Sequence, residues 1–244
     1  GGAGIQADLK TLSALGVYGA TAITAITAQN TQGVHSQLAI DPQMVYDQIV
    51  AVVDDLHPCV VKIGMLSNRD IVEAVAEALG GYSLPVILDP VIVSSTGHRL
   101  LSLEAQDVVK QRLVPMSMLI TPNIPEMVAL TNLPVTTQQE RLEAAKYLFD
   151  CGAKAILLKG GHEQGEQKRD TLFIHSQSGV ETTIFTSTTI PTRNTHGTGC
   201  TLSSAIAAFM ARGCGMIEAI EKAKGYVTEA IRGGADVTIG HGIG

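Results

Sequence analysis

The sequence of 244 residues contains no tryptophan, and aromatic side chains make up only 4 % of it. Charged residues are also scarce, at 16 %, and leave a formal net charge of −6. So few positive charges exclude a broad basic face for nucleic acid, but they allow a local phosphate pocket. Hydrophobic residues are abundant at 45 %, and there are 25 glycines. Such a composition is typical of buried parallel strands covered by helices.

Cysteines are few and follow no metal-binding or disulfide pattern. The four cysteines form no C-x-x-C pair, and no Cys/His spacing resembles a zinc site. This usage predicts a reduced, cytoplasmic protein. No apolar run is long enough to span a bilayer and no signal peptide is recognisable, so we expect no membrane partner. Because the chain begins with glycines and ends at "IGHGIG", we expect it to be part of a longer protein.

Short β-branched or leucine-rich runs alternate along the chain with stretches of helical periodicity. One helical stretch begins with Asp41 as N-cap and Pro42 in the first turn. Late in the chain, "TLFIH" and "VETTIFTS" indicate a hairpin at a sheet edge. The pattern predicts one α/β domain over residues 1–244, with helices on both faces of a mostly parallel sheet. The strand-like runs are 20–27, 59–64, 85–90, 117–121 and 154–161.

Polar and glycine- or proline-flanked residues follow each predicted strand. In open α/β sheets ligands bind beyond the carboxyl ends of the strands, so these residues form the predicted site. The residues singled out at these ends are Gln29, Met65, Asp89, Val91, Asn123 and Lys159.

A small-residue loop, "NTHGTGC", leads into an apolar helical run near the end of the chain. Gly197 and Gly199 keep side chains away from the helix N-terminus, whose free amides and dipole favour an anion. We expect the same field to lower the pKa of the Cys200 thiol, which would then bind or deprotonate an attacking hydroxyl. The alternative is an ordinary glycine turn beside a buried cysteine. No lysine follows the glycines, which excludes a Walker A loop.

Each of the other candidates has a functional and a structural interpretation. Glu126 either binds a magnesium-bound water or complements the dipole of the helix that begins after Pro125. Lys159 either supplies charge to a phosphate or is a solvated strand-end lysine. Asp89 orients a metal-bound water or caps a loop. The Gln29 amide either recognises the edge of a heterocycle or braces its loop.

Together these segments resemble the hydroxymethylpyrimidine kinase/phosphomethylpyrimidine kinase family of thiamine biosynthesis, which has a three-layer αβα ribokinase-like fold. The resemblance extends over nearly the whole chain. It implies that a first strand normally precedes the opening segment and that a C-terminal tail follows. The matching segments are 1–19, 24–34, 61–66, 87–91, 119–126, 157–162, 194–208 and 240–244.

The resemblance also implies an activity and roles for individual residues. ATP would phosphorylate the hydroxymethyl group of 4-amino-5-hydroxymethyl-2-methylpyrimidine and then the resulting monophosphate. Cys200 would be the base, in an anion hole formed with Gly197, Thr198 and Gly199. The remaining implied roles are pyrimidine contacts from Gln29, Ala3, Met65 and Val91, ATP contacts from Lys159, Asn123 and Thr195, and Mg²⁺ binding at Glu126 and Asp89.

Three alternatives stay open on the sequence alone. A pyridoxal or pyridoxine kinase of the same fold also phosphorylates a hydroxymethyl group on a flat ring. A cysteine hydrolase would use Cys200 with His196. A nucleotide-binding module would bind ATP without transferring phosphate. The resemblance further implies a homodimer. The loop at 92–101 departs from the family pattern, and the glycine- and charge-rich segment 160–170 is predicted to be a mobile flap.

Overall fold

The structure is a computed structural model and describes residues 2–94, 97–161, 165–177 and 179–242. The helix over Leu103–Val108 continues as a π-helical turn over Val109–Leu113. The helices are α1 (Ile5–Ala14), α2 (Pro42–Leu56), α3 (Arg69–Gly80), α4 (Leu103–Val108), α5 (Ile124–Thr131), α6 (Gln138–Asp150), α7 (Thr198–Ala211) and α8 (Met216–Gly234). The strands are β1 (Ala25–Asn30), β2 (Gly33–Ala39), β3 (Val61–Ile63), β4 (Val86–Leu88), β5 (Leu119–Ile120), β6 (Ala155–Leu158), β7 (Gln167–Ser176) and β8 (Gly179–Thr188).

Six strands form the central sheet in the order β3-β4-β5-β6-β7-β8. The pairs from β3 to β6 are parallel, as expected for strands joined by helical crossovers. The last two strands form an antiparallel hairpin that ends the sheet with β8 at its edge. The predicted α/β fold and the predicted edge hairpin are both confirmed.

Helices cover both faces of the sheet because consecutive strand residues point to opposite sides. In β4, for example, Leu88 packs into one core cluster with helices α2 to α6, and Ile87 packs into another with α7 and α8. Both side chains are fully buried. This arrangement is the three-layer architecture. No helix in the described ranges is both long and apolar enough to cross a membrane.

The strand predicted over residues 20–27 is only partly confirmed, and it does not belong to the central sheet. The strand begins only at Ala25, and it pairs with β2 in a separate two-stranded antiparallel sheet. Its residues alternate between half-buried and exposed, whereas those of β4, β5 and β6 are all buried. A strand with only one covered face suits a surface hairpin better than the middle of a parallel sheet.

The predicted N-cap of α2 is confirmed. The Asp41 side chain accepts a hydrogen bond from the Met44 amide at 3.2 Å, as predicted for the N-cap of α2. Thr137 caps α6, and α3 ends at Gly80. The sequence analysis missed α8, whose N-cap is Gly215 with no side-chain hydrogen bond. A helix without a polar cap lacks the signal that marks its start.

The predicted flap over residues 160–170 is only partly a loop. Gln167 to Asp170 belong to β7, since Gln167 is already paired with Thr188 of β8. Residues 162–164 lie outside the described part of the chain. The segment that can be considered a connecting loop is therefore shorter than predicted.

We expect Leu88→Ala to lower the free energy of unfolding by about 2–5 kcal/mol, because it removes a fully buried side chain from the central strand. The same substitution at Leu103, which is 67 % exposed on α4, should change it by less than about 0.5 kcal/mol. Urea unfolding of both variants measures the difference. Equal losses would contradict the assignment of Leu88 to the core.

Candidate active site

A cavity of about 1230 Å³ lies at the carboxyl ends of the parallel strands. It extends from the β1–β2 hairpin, past the N-terminus of α7, to the end of β8 and one side of α8. Every candidate site residue from the sequence analysis lines it: Ala3, Gln29, Met65, Asp89, Val91, Asn123, Glu126, Lys159, Thr195, Gly197, Thr198, Gly199 and Cys200.

The loop before α7 presents backbone amides to this cavity. Gly197 is the N-cap residue and has a left-handed φ of 83°. A side chain there would be strained, and its Cβ would lie 3.4 Å from the Gly2 carbonyl oxygen. The amides of Gly199 and Cys200 donate to no acceptor among the residues that the structure describes. Two free amides at the positive end of a helix form an anion-binding site.

A buried lysine stands beside these amides. A Cβ added to Gly199 would lie 3.5 Å from Lys159 Nζ, so the ammonium group is close to the helix N-terminus. Lys159 Nζ donates to Asp89 Oδ1 at 2.7 Å and lies 3.7 Å from Glu126 Oε2. Because Lys159 directly follows β6, the parallel sheet brings it next to the residue that follows β4.

Asp89 is the most enclosed charge of the site, with 1 % of its surface exposed. Besides Lys159, it accepts hydrogen bonds from Thr121 Oγ1 at 3.2 Å and from Ser203 Oγ at 3.1 Å. Burial alone would raise its pKa, but the positive charges of Lys159 and Lys62 outweigh burial and hold the pKa below its usual value. Asp89 is therefore a carboxylate at neutral pH.

In Glu126, by contrast, burial outweighs the nearby positive charge and the pKa of the carboxyl group rises. Burial raises its pKa to about 7, the nearby charge of Asp89 adds to this effect, and Lys159 opposes it. The same carboxylate completes a capping box at the start of α5, where the Asn123 amide donates to Glu126 Oε2 at 2.7 Å and Asn123 Oδ1 accepts from the Glu126 amide at 2.8 Å. Glu126 thus has the structural role considered above and also lines the cavity.

The donor set suits a magnesium ion held partly by substrate. Asp89 and Glu126 both face the Lys159 ammonium, so two carboxylates surround one cation. Within the described ranges, no group of three or more His, Cys, Asp or Glu side chains could hold a metal on its own. Magnesium in phosphoryl-transfer enzymes uses one or two carboxylates together with water and phosphate oxygens.

The expectation of a lowered Cys200 pKa is wrong. Burial is the largest influence and raises the pKa of this thiol, and the charges of Asp89 and Asp8 act in the same direction. Lys62 and a backbone hydrogen bond from Gly4 favour the thiolate but do not prevail. The free site therefore holds a protonated thiol at neutral pH, because burial and the two carboxylates outweigh Lys62 and the Gly4 hydrogen bond.

Sequence reasoning missed a buried ion pair next to Cys200. Lys62 Nζ donates to Asp8 Oδ1 at 3.0 Å and to Oδ2 at 3.1 Å, and Ser204 Oγ donates to Asp8 Oδ1 at 2.7 Å. The Lys62 side chain is 10 % exposed and lines the cavity. A lysine in the middle of the apolar strand run "VVKIG" was the available signal, since buried lysines need a partner.

The other end of the predicted pocket depends on the surface hairpin. Gln29 is half-buried at a β-bulge between Ala28 and Gln29, and the hairpin brings it to the cavity although β1 is not a central strand. Thr24 Oγ1 donates to the Met65 carbonyl at 2.7 Å and ties the chain before β1 to the end of β3. In the loop after β4, residues 95–96 lie outside the described part of the chain.

Solved structures define the class of protein. The pyridoxal kinase from Staphylococcus aureus in complex with AMP-PCP and pyridoxal superimposes with a TM-score of 0.85 at 27 % identity, covering 99 % of this chain and 89 % of that chain. Phosphomethylpyrimidine kinase from Clostridium difficile 630 gives a TM-score of 0.81 at 39 % identity and 94 % coverage of both chains. The fold is that of the ribokinase-like kinases, as predicted.

Sequence comparison gives the family within this class. Residues 1–244 match the phosphomethylpyrimidine kinase family. The hydroxymethylpyrimidine/phosphomethylpyrimidine kinase of Escherichia coli (strain K12) is 47 % identical over 246 residues, covering 100 % of this chain and 91 % of that protein. The chain therefore belongs to the phosphomethylpyrimidine kinase family and is a phosphotransferase. This result favours the kinase over the hydrolase and the non-catalytic module.

The Lys159–Asp89 pair makes a testable prediction about stability. Lys159→Met leaves the Asp89 carboxylate buried without its cation and should lower the free energy of unfolding by about 3–5 kcal/mol. Adding Asp89→Asn removes that uncompensated charge, so the double variant should be more stable than Lys159→Met alone. Urea unfolding of the wild type, both single variants and the double variant tests this. Additive losses would rule out direct coupling between the two side chains.

Proposed function

We propose that this protein uses ATP to phosphorylate the hydroxymethyl group of 4-amino-5-hydroxymethyl-2-methylpyrimidine and then phosphorylates the monophosphate to the diphosphate. The observation that carries the proposal is one cavity that joins the free amides of α7 and Lys159 to an end lined by Gln29 and Met65. Family membership supports the same reaction.

The end of the cavity at the N-terminus of α7, called the phosphate end, stabilises negative charge and positions the reacting phosphoryl group. The Gly199 and Cys200 amides receive the transferring phosphoryl group, and Lys159 neutralises phosphate oxygens. Phosphoryl transfer requires in-line positioning and charge stabilisation rather than covalent catalysis, and this arrangement provides both. The ATP triphosphate lies along Thr195 and Asn123. The nucleoside extends toward the side of α8 that carries Val227 and Ile231, which also lines the cavity.

Magnesium fits beside this phosphate end. Asp89 and Glu126 would hold it, directly or through water, and when bound it would neutralise the phosphates of ATP. Asp89 is already ionised at neutral pH, as a metal ligand must be. Thr121 and Ser203 fix the orientation of its carboxylate through the hydrogen bonds described above.

The ring end selects a flat heterocycle. The Gln29 amide has both a donor and an acceptor and pairs with the pyrimidine edge, while Ala3, Met65 and Val91 contact the ring faces. Pyridoxal remains the second candidate because kinases of pyridoxal share the fold. The four cysteines are all free, which agrees with a cytoplasmic enzyme. A homodimer stays a prediction.

Cys200 lies where the acceptor oxygen would be placed and is the proposed base. The alcohol acceptor carries a proton that must leave during the reaction. A phosphate monoester is largely a dianion at neutral pH, since its second pKa is about 6, and its attacking oxygen has no proton to lose. The two successive reactions therefore depend on Cys200 to different extents.

An ATP-dependent assay on hydroxymethylpyrimidine, its monophosphate and pyridoxal tests the proposed function. We expect turnover of both pyrimidines to exceed that of pyridoxal. Gln29→Ala should raise the KM for hydroxymethylpyrimidine about tenfold, the usual effect of one lost hydrogen bond, while the KM for ATP stays close to that of the wild type. No transfer to either pyrimidine would refute the proposal. Equal effects on both KM values would refute the role of Gln29.

The base assignment makes a separate prediction. Cys200→Ala should lower kcat for the alcohol by about 10²- to 10⁴-fold and have a smaller effect on the monophosphate. Because burial raises the thiol pKa, the thiolate fraction and the alcohol rate of the wild type should both rise between about pH 7 and pH 9. Product formation across this pH range measures the effect.

Cys214→Ala provides the matched control for this prediction. Cys214 is also a partly buried free cysteine, but it follows α7 and does not line the cavity. We expect this control to leave the pH profile unchanged. A wild-type profile that stays flat, or equal losses of both reactions in Cys200→Ala, would assign Cys200 a packing role.

A further inference from the structure

We propose that Lys62 binds the phosphate of the acceptor in the second transfer, and that it thereby determines whether the site accepts a phosphate monoester. This inference rests on the proposed function. The first acceptor is a neutral alcohol, so Lys62 influences that reaction only through the pKa of the Cys200 thiol and not through a contact with the acceptor.

The geometry of Lys62 leaves part of its ammonium group available. Both of its hydrogen bonds go to the two oxygens of one carboxylate, Asp8. An ammonium group has three donors. Among the residues that the structure describes, no acceptor other than Asp8 is bound to Lys62 Nζ, although the side chain is only 10 % exposed. A buried donor without an acceptor is unfavourable unless a ligand or water satisfies it.

Its position is next to the expected acceptor oxygen. Ser204, one helical turn after Cys200 in α7, donates to the Asp8 carboxylate that binds Lys62, so the ion pair lies beside the first turns of α7. The Lys62 charge also favours the thiolate of Cys200, the residue proposed to mark the acceptor side of the loop. A Cβ on Gly64 would lie 2.9 Å from Lys62 Nζ, so the ammonium occupies space that a side chain at that position would fill. Lys159, in contrast, is adjacent to Gly199. Both lysines therefore lie near the N-terminal turns of α7, and both of their charges interact with the Cys200 thiol.

The charge balance explains why a second cation is needed. Lys159 is already shared between Asp89 and Glu126, at 2.7 and 3.7 Å. Lys62 has one carboxylate partner, and Ser204 also donates to that carboxylate. A phosphate monoester brings up to two negative charges close to the negative oxygens of ATP. Lys62 is therefore the less compensated of these two cations and the one on the acceptor side.

The chemical step itself is an ordinary transfer. The bond between the γ-phosphorus and the bridging oxygen of ATP breaks, and its electron pair leaves with ADP. An oxygen of the monophosphate forms the new bond to the γ-phosphorus. Lys62 exchanges no proton in this step. Its ammonium contacts the other oxygens of the acceptor phosphate and offsets the repulsion between the two reacting anions.

Steady-state kinetics with both acceptors tests the proposal in three variants. Lys62→Met should raise the KM for the monophosphate by about tenfold to a hundredfold, as expected for a lost hydrogen bond to a charged group, and change the KM for the alcohol much less. The substitution also removes a charge that favours the Cys200 thiolate, so we expect kcat for the alcohol to fall as well. Lys62→Met with Asp8→Asn should show the same preference without leaving a buried carboxylate unpaired. Asp8→Asn alone keeps Lys62 but removes the carboxylate charge that competes with the acceptor phosphate for its ammonium group. The ratio of monophosphate to alcohol kcat/KM should therefore rise.

The matched control is Lys224→Met. Lys224 is also buried, lines the same cavity and donates to a single carboxylate, Asp170, at 2.6 Å. Its loss should leave the ratio of the two kcat/KM values unchanged. Calorimetric titration without ATP gives a second measurement, in which Lys62→Met weakens binding of the monophosphate more than that of the alcohol.

Several outcomes would overturn the role of Lys62. Equal increases in KM for both acceptors in the Lys62 variants would assign the pair to structure alone. A change of preference in the same direction for Lys62→Met and Asp8→Asn would do the same. Arg99 lies after β4 and also lines the cavity. If Arg99→Met changes the preference between the two acceptors and Lys62→Met does not, Arg99 binds the acceptor phosphate instead of Lys62. If the wild type phosphorylates neither pyrimidine, the proposed function itself fails, so the two failures are distinguishable.

Discussion

The ion pair between Lys159 and Asp89 is the interaction on which the rest of the site depends. It joins the ends of two parallel strands, and Thr121 and Ser203 bring the neighbouring strand and α7 to the same carboxylate. The cost of removing these two charges from water is offset because each charge faces the other and the carboxylate also accepts hydrogen bonds. It also holds the cation next to the free amides of α7, where a phosphoryl group can be bound.

Around this pair, similar side chains have different protonation states because their surroundings differ. Asp89 faces two lysines and stays ionised, whereas Glu126 is raised to a pKa of about 7 by burial and by the charge of Asp89. Burial keeps the Cys200 thiol protonated despite the charge of Lys62. The site therefore contains a carboxylate that stays ionised (Asp89), a carboxyl group that titrates near neutral pH (Glu126) and a protonated thiol (Cys200). Groups with such different protonation states are typical of catalytic sites.

Much of the architecture could be predicted from local patterns. Short apolar runs separated by capped helices indicated the α/β fold, and Asp41 and Thr137 start helices as their capping signals require. The exceptions have physical causes. The run beginning at Ala20 is apolar enough for a central strand, but pairing with the adjacent β2 satisfies its backbone locally. Helix α8 starts at Gly215 without a side-chain cap, so it lacks the capping signal that marks the starts of α2 and α6.

The sequence by itself determined the glycine loop before α7, the order of strand-end residues and the membership of a kinase family, because these depend on local spacing. Only the tertiary structure decided the state of Cys200, the pairing of Lys62 with Asp8 and the route by which Gln29 reaches the cavity. Asp8 and Ser204, for example, are 196 positions apart yet hydrogen-bonded. Desolvation and charge compensation depend on groups that only folding brings together, so no local pattern could reveal them.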